Sequence, residues 1–327
     1  MTVAPASRIR SIDMVKTLAM LMVIGTHSIY ASDPWQLSLE WVEYNILAPS
    51  IPLFFLCMGY LLLGRDQSKC TSKHVLRKIW GCIRIIMLVC IALGAVIYVK
   101  HGAVYPTNII RMAATDGGGI YFLWFLWSYA IIYTIYPSLN IIYNKNERLF
   151  NILTACGAVL LLIVFILNIT IQFEYHILQK FRIWNWLFYF MLGGVIHRYK
   201  PKVPYPAISL GITATAALVS MYLIYPVMGL RHYEYFYSSP LTIAYSCCLF
   251  VVCLNSRIAH RLDLSKVSAL FMPVYLIHPI VILIIQSYAD AYLKHIHLGL
   301  FLCTSVTTII ISVVIMKIKP IRALLTL

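Results

Sequence analysis

Among the ionisable side chains inside stretches of this sequence that are otherwise apolar, four stand out: Lys16, His27, Arg84 and His278. An ionisable group in an apolar span is costly, and its presence points to binding or chemistry. An imidazole takes up and releases protons near neutral pH, so His27 and His278 are candidates for proton transfer. Lys16 and His27 are eleven residues apart. On a helix that spacing returns to within about 20° of one face and separates the two by about 16 Å along the axis. Asp13, three residues before Lys16, falls on nearly the same line. The spacing predicts a polar stripe down one helix, with Lys16 reaching the headgroups beside Asp13 or meeting an anionic group. Gly25, Thr26 and Ser28 surround His27 with small side chains, past which a ligand or another helix can come close. Pro279 follows His278 directly and predicts a kink beside the imidazole, at a cavity wall or a helix–helix contact. Arg77, Lys78 and Arg84, with Lys69 and Lys73, make the densest basic patch in the chain. Such a patch is an anchor on anionic lipid, or a site for the phosphates of an anionic cytosolic donor.

The elements that hold these residues follow from composition. Of 327 residues, 61% are hydrophobic and 11% charged, against about 45–50% and about 25% in soluble domains. That is too little charge to coat a soluble protein of this length. The net charge of +15 would suggest nucleic acid on a polar chain; on so apolar a chain it indicates basic residues sorted to one side of a membrane. No nucleic-acid partner is expected. Ten stretches are long and apolar enough to span a bilayer: 12–31, 44–64, 79–99, 120–141, 149–170, 183–199, 206–228, 238–256, 268–289 and 298–316. Span two contains Pro49 and Pro52, and span six is short and carries Asn185.

The fold class expected is therefore an all-α polytopic membrane protein with one membrane-embedded domain over 1–327. With the N-terminus inside, the alternating inner segments hold 18 of the 26 Lys and Arg, the outer segments six, and the spans Lys16 and Arg84. This bias supports ten spans with both termini cytoplasmic. Residues 1–33 have a basic start and an apolar stretch, but Asp13, Lys16 and His27 interrupt it. They read as an uncleaved first helix rather than a signal peptide.

Eight of nine cysteines lie in spans and Cys70 in an inner loop, so they read as small apolar side chains, without disulfides. No Cys/His spacing suits a metal, and none is expected. The aromatic runs Tyr121–Trp127 and Trp184–Trp186 read first as interface belts. Within these and span nine, Trp124, Trp127 and Tyr275 are candidate substrate contacts.

Several of these segments resemble the acyltransferase-3 family of integral-membrane acyltransferases, which mostly O-acetylate bacterial surface glycans. Arg10 through Ala19 and on to His27 is similar to the family's basic residue, ten residues, then histidine, here Lys16 and His27. Pro52–Tyr60 resembles its second-helix pattern ending in Gly-Tyr or Gly-Phe. Leu123-Trp124-Phe125-Leu126, with Tyr133 and Pro137, resembles its Trp-Phe-Leu helix. Phe188–Gly194 is similar to its sixth span, and Val274–Pro279 to its Tyr-Leu-x-His-Pro segment. Five segments in order cover nearly the whole chain. Two departures stand out. Phe122 takes the place of a histidine before the Leu-Trp pair, and the Arg-rich segment before span three is kept only as Arg77-Lys78 and Arg84.

The resemblance implies transfer of an acyl group, usually acetyl from acetyl-CoA, to a hydroxyl of a cell-surface glycan or its lipid-linked precursor. No hydrolase-like domain is expected after span ten. A hydroxyl is a poor nucleophile and needs a base, a task that suits an imidazole; histidine can also carry the acyl group covalently. His27 is expected as general base or acyl carrier, with Lys16, Asp13 and His278 as further catalytic candidates. CoA phosphates are expected near Lys16, Arg77, Lys78 and Arg84. The location expected is the bacterial cytoplasmic membrane, multi-pass, with membrane lipids and the glycan acceptor as partners. A homodimer is one admissible state. The alternative function is a transporter or flippase for a glycan or lipid-linked sugar, although no internal repeat of the kind common in transporters is visible.

Overall fold

A computed structural model describes residues 8–29, 39–66, 71–101, 105–115, 118–228, 233–289 and 297–325. The described residues are helical, with no strand among them. Nine of the ten spans read from the sequence overlap helical stretches that are long or apolar enough to count as candidate or shorter apolar helices. Seven stretches are long and apolar enough to cross a membrane: Arg10–Ile29, Trp41–Leu63, Ser72–Val99, Ile120–Lys145, Glu147–Ile171, Pro206–Met228 and Leu298–Lys317. Pro240–Asn255 and Phe271–Ile285 are shorter apolar helices. The remaining span is the 17-residue helix Ile183–Tyr199. The molecule is an all-α polytopic membrane protein.

The helices are α1 (Arg10–Ile29), α2 (Leu39–Ile46), α3 (Ser50–Leu63), α4 (Ser72–His101), α5 (Pro106–Thr115), α6 (Trp124–Lys145), α7 (Glu147–Ile171), α8 (Ile183–Tyr199), α9 (Pro206–Met228), α10 (Pro240–Asn255), α11 (Arg257–Arg261), α12 (Ser265–Ser268), α13 (Phe271–Ala289), α14 (His297–Lys317) and α15 (Lys319–Leu325). Span two is not one helix: a turn at 47–49 separates α2 from α3. Pro52 then sits in the first turn of α3, where no intrahelical N–H is required. The stretch between spans three and four holds the short helix α5.

Contacts divide the chain into two compact units, Met1–Cys57 with Tyr199–Ile318, and Met58–Arg198 with Lys319–Leu327. In the first, α1 is the hub. It packs on α10, α13 and α14 and on the short α2, α11 and α12, while α9 pairs with α10 and α13 with α14. Apolar residues on several faces of α1 are buried, among them Ile12, Val15, Ala19 and Ile24, as a helix at the centre of a bundle requires. Its hydroxyls turn inward: Thr26 donates to the Met22 carbonyl and Ser28 to the Ile24 carbonyl, both at 2.9 Å. Such bonds satisfy polar groups where there is no water. Gly25 serves helix packing; a Cβ there would lie 2.9 Å from the Leu47 side chain and 3.6 Å from Phe301.

In the second unit, α4 packs on α6, and α6 on α7. Asn146 caps α7, its side chain accepting from the Leu149 N–H at 2.9 Å. Gly59 on α3 meets the Phe190 backbone of α8 so closely that a Cβ would overlap its carbonyl oxygen. Asn140 of α6 donates to the carbonyls of Leu62, Leu63 and Arg65 at 3.2 Å each. It thereby satisfies the end of α3, where helix carbonyls have no partner of their own. His197 lies against Gly64 and shares a 2.9 Å hydrogen bond with the Tyr143 hydroxyl.

Candidate active site

His27 sits near the end of α1 and is half-buried. His278 sits in the middle of α13 and is fully buried. The packing of α1 on α13 brings their rings together, with centroids 5.2 Å apart and a tilt of 36°. Two imidazoles far apart in sequence thus form one site within the first unit. Tyr275, one turn before His278 on α13, has its ring 6.3 Å from that imidazole. Behind it, Phe271 stacks on Tyr275 at 6.0 Å, and Phe54 of α3 lies 4.4 Å from Phe271. Phe271, Tyr275 and His278 are spaced four and three residues apart and share one face of α13, so the stack continues along the face that carries His278.

The His278 ring is held by its own helix. Its Nδ1 lies 3.1 Å from the Val274 carbonyl oxygen, and the Tyr275 carbonyl also acts on the ring. Pro279 has no N–H to offer the Tyr275 carbonyl, its normal partner one turn back. The proline therefore gives that carbonyl no backbone N–H of the usual kind.

Lys16 is half-buried on α1. Between Lys16 and His27 on the same face lie Met20 and Val23, which are buried. The stripe expected from the spacing is therefore polar only at its two ends. Asp13 is not on a path to His27. Its carboxylate accepts two hydrogen bonds from Arg8, at 2.7 and 3.0 Å, and one from Ser268 Oγ at 2.5 Å. Arg8 also donates to the Ser265 carbonyl at 2.6 Å and to Ser268 Oγ at 2.9 Å. This network ties the start of α1 to α12, just before the helix that carries His278. Fourteen residues of helix separate Asp13 from His27, about 21 Å. Neither Arg8 nor Ser268 was singled out by the sequence, which marks Arg8 only as one inner-side cation among many.

The other candidates belong to the second unit. Arg77, Lys78 and Arg84 lie on α4, Arg77 exposed and the other two half-buried. Arg77 and Arg84 are seven residues apart and share a face. Trp124 and Trp127 begin α6. Trp124 is buried and stacks on Trp186 of α8 at 5.0 Å, 28° from parallel, which is a packing role. Trp127 is half-buried, and its Nε1 has no hydrogen-bond partner among the described residues.

The same unit contains a polar knot that the sequence did not reveal. Glu174, between α7 and α8, is fully buried. It accepts from Asn168 Nδ2 at 2.7 Å, Trp184 Nε1 at 2.7 Å and Asn185 Nδ2 at 2.6 Å, and its own N–H donates to Asn168 Oδ1 at 2.8 Å. Burial pushes its pKa above the ordinary carboxyl value, against the pull of Arg182 and these donors. The signal that could have found it is a carboxylate between two asparagines and a tryptophan at helix ends.

Among the described residues, no group of three or more His, Cys, Asp or Glu is placed to hold a metal ion. The eight described cysteines are free; Cys70 lies outside the described residues. A family model described as an acyltransferase domain matches residues 9–317, nearly the whole chain. No curated protein and no solved structure matches the chain.

Proposed function

From a chain that belongs to the acyltransferase-3 family, and is therefore an integral-membrane acyltransferase, we propose a more specific reaction: transfer of acetyl from acetyl-CoA to a hydroxyl of a cell-surface glycan or its lipid-linked precursor. The protein acts in the bacterial cytoplasmic membrane. The observation that carries this reading is the half-buried His27 imidazole beside the buried imidazole of His278. Base-assisted transfer to a hydroxyl needs an uncharged proton acceptor beside that hydroxyl. His27 is that group, as general base or as transient acyl carrier. Its partial exposure supports contact with a substrate.

In the second unit, Arg77, Lys78 and Arg84 on α4 are the cations proposed to meet the phosphates of CoA, as guanidinium and ammonium groups do; in the first unit, Lys16 on α1 is proposed separately as an anion contact. Arg77 and Arg84, seven residues apart on one helix face, support such a contact. In the second unit Trp127, whose indole N–H has no hydrogen-bond partner among the described residues, and in the first unit Tyr275, beside His278, are proposed acceptor contacts. The stack of Trp124 on Trp186 braces α6, the helix that carries Trp127.

The test is the acetate released on saponifying surface glycan from cells that make wild-type or His27→Ala protein at equal levels. Loss of acetate in the variant is expected. Equal acetate from both removes His27 from the reaction.

A further inference from the structure

Down one face of α6 runs a row of hydrogen-bonding side chains that has no part in the reaction proposed above. Tyr129, Tyr133, Tyr136, Asn140 and Tyr143 are spaced four, three, four and three residues apart. They therefore share a face and cover about 21 Å of helix. That face is turned into the second unit. The ring of Tyr133 lies 6.4 Å from that of His74 on α4, Asn140 holds the carbonyls at the end of α3, and the Tyr143 hydroxyl meets His197 of α8 at 2.9 Å. The rings support one another. Those of Tyr129 and Tyr133 are 4.8 Å apart with their hydroxyls at 3.3 Å, and Tyr136 lies 6.0 Å from Tyr133. Tyr133 and Tyr136 are buried, whereas Tyr129 on the same face is only half-buried.

Asn140 is fully buried, and its side chain is committed on one branch only. The branch that meets three carbonyls at 3.2 Å must be the Nδ2 donor, because a carbonyl only accepts. The other branch is then the Oδ1 acceptor, which has no hydrogen-bond partner among the described residues. Asn144, one turn on, differs: its Nδ2 donates to the Asn140 carbonyl at 2.8 Å. Beside Tyr133, the Nε2 atom of His74 is also buried with no hydrogen-bond partner among the described residues. Leaving buried polar atoms in this state is costly, and a ligand that brings a donor removes the cost.

We propose that this face of α6 binds the pantetheine arm of the acyl donor. The proposal rests on the reading of the α4 cations as contacts for the CoA phosphates. Arg77 and Lys78 follow His74 by one turn of α4, and His74 meets the middle of the row, so the two features adjoin within one unit. The arm is a linear chain with two secondary amides. Each amide brings an N–H, which an ionised phosphate or a lipid tail does not, and a carbonyl. The Asn140 oxygen accepts an amide N–H, and tyrosine hydroxyls donate to amide carbonyls. The two amides are one carbon farther apart than neighbouring peptide groups, about 5 Å. One turn of the row, from Tyr136 to Asn140, is about 6 Å. A single line with one polar group per turn suits a linear chain, whereas a sugar ring presents hydroxyls around its whole edge. No bond forms or breaks at this site; it holds the donor.

The experiment uses purified protein in proteoliposomes with acetyl-CoA and de-acetylated surface glycan, and free pantetheine as competitor. Pantetheine is the arm without the nucleotide and its phosphates. Folding is checked by melting in detergent. Pantetheine is expected to compete with acetyl-CoA in the wild type. Y129F/Y133F keeps both rings and loses two hydroxyls. It is expected to raise the KM for acetyl-CoA and the inhibition constant of pantetheine by the same factor, on the order of tenfold, with the acceptor KM unchanged. Y129F alone, at the half-buried position, carries the same expectation at a smaller factor. R77A is expected to raise the KM for acetyl-CoA and to leave the inhibition constant of pantetheine as in wild type. Absence of competition in the wild type overturns the inference, as do wild-type constants in Y129F/Y133F. So does a rise in the acceptor KM alone, which marks the row as a sugar contact. A wild-type KM in R77A overturns the reading of the α4 cations instead, and leaves the arm site standing when Y129F/Y133F behaves as expected. A wild-type protein that consumes no acetyl-CoA overturns the proposed function and this inference with it.

Discussion

The carboxylate of Asp13 on α1 accepts a 2.5 Å hydrogen bond from the hydroxyl of Ser268 at the end of α12, and Arg8 bridges the two. The contact fixes the start of the His27 helix against the segment that leads into the His278 helix. It explains an acid inside an apolar helix without giving it a part in the chemistry.

Asp13→Asn and Asp13→Ala are therefore expected to act on stability. The Arg8 side chain is 53% exposed and the Asp13 side chain 6%, so the ion pair is partly screened by solvent. Removing the acceptor costs about 1–2 kcal/mol, from the orphaned Ser268 and Arg8 donors. A lowered melting temperature in detergent, with transfer per folded molecule unchanged, is the result expected for D13N. A D13N protein that melts normally but fails to transfer would place Asp13 in the reaction.

Gly59 sets the distance between α3 and α8. A Cβ there overlaps the Phe190 carbonyl oxygen, which is backbone and cannot swing away. Gly59→Ala must push two helices apart, at a cost of about 3 kcal/mol or more. The variant is expected to be poorly recovered from membranes, whereas Gly211→Ala, with open space around it, is recovered as wild type. Equal recovery of both would mean that the two helices do not pack at Gly59.

Glu174 gives a pH dependence with a definite sign. Its folded pKa lies above the ordinary value of 4.5, so the folded state binds its proton more tightly than the unfolded one does. The stability it lends is present below the unfolded pKa and is lost as pH rises through the folded pKa. Replacing it by Gln removes that titration. The difference in melting temperature between wild type and E174Q is expected to shift against wild type as pH rises above the ordinary carboxyl range. A difference that is flat with pH would contradict this. Glu174→Ala leaves three buried donors without an acceptor, each at about 1–3 kcal/mol, and is expected to be the most damaging change in that loop.

The helices were legible because twenty apolar residues have few other uses, and each of the ten stretches holds helix among the described residues, span two as two helices. The break in span two was only half legible. Pro49 and Pro52 were visible, but the close approach of Leu47, in the turn at 47–49, to Gly25 of α1 was not. The small residues around His27 were correctly seen as a place of close approach, but a helix uses it: Thr26 and Ser28 turn to their own backbone. His27 and His278 were each legible as costly residues in apolar spans. Their meeting was not, since nothing local in either segment names its partner. Arg8 and Glu174 were hidden for the opposite reason. Each lies outside the spans, where a charge is cheap, and only tertiary packing gives it partners.

The reaction proposed is transfer of acetyl from acetyl-CoA with His27 as the reacting imidazole. It is tested most directly with purified protein in proteoliposomes, given acetyl-CoA and de-acetylated surface glycan, by measuring free CoA and glycan acetate together. Wild type is expected to form the two in equal amounts, and His27→Ala to slow both by on the order of 10²-fold or more while melting as wild type does. Wild-type rates in His27→Ala, or glycan movement across the bilayer without any acetyl-CoA consumed, would contradict the account.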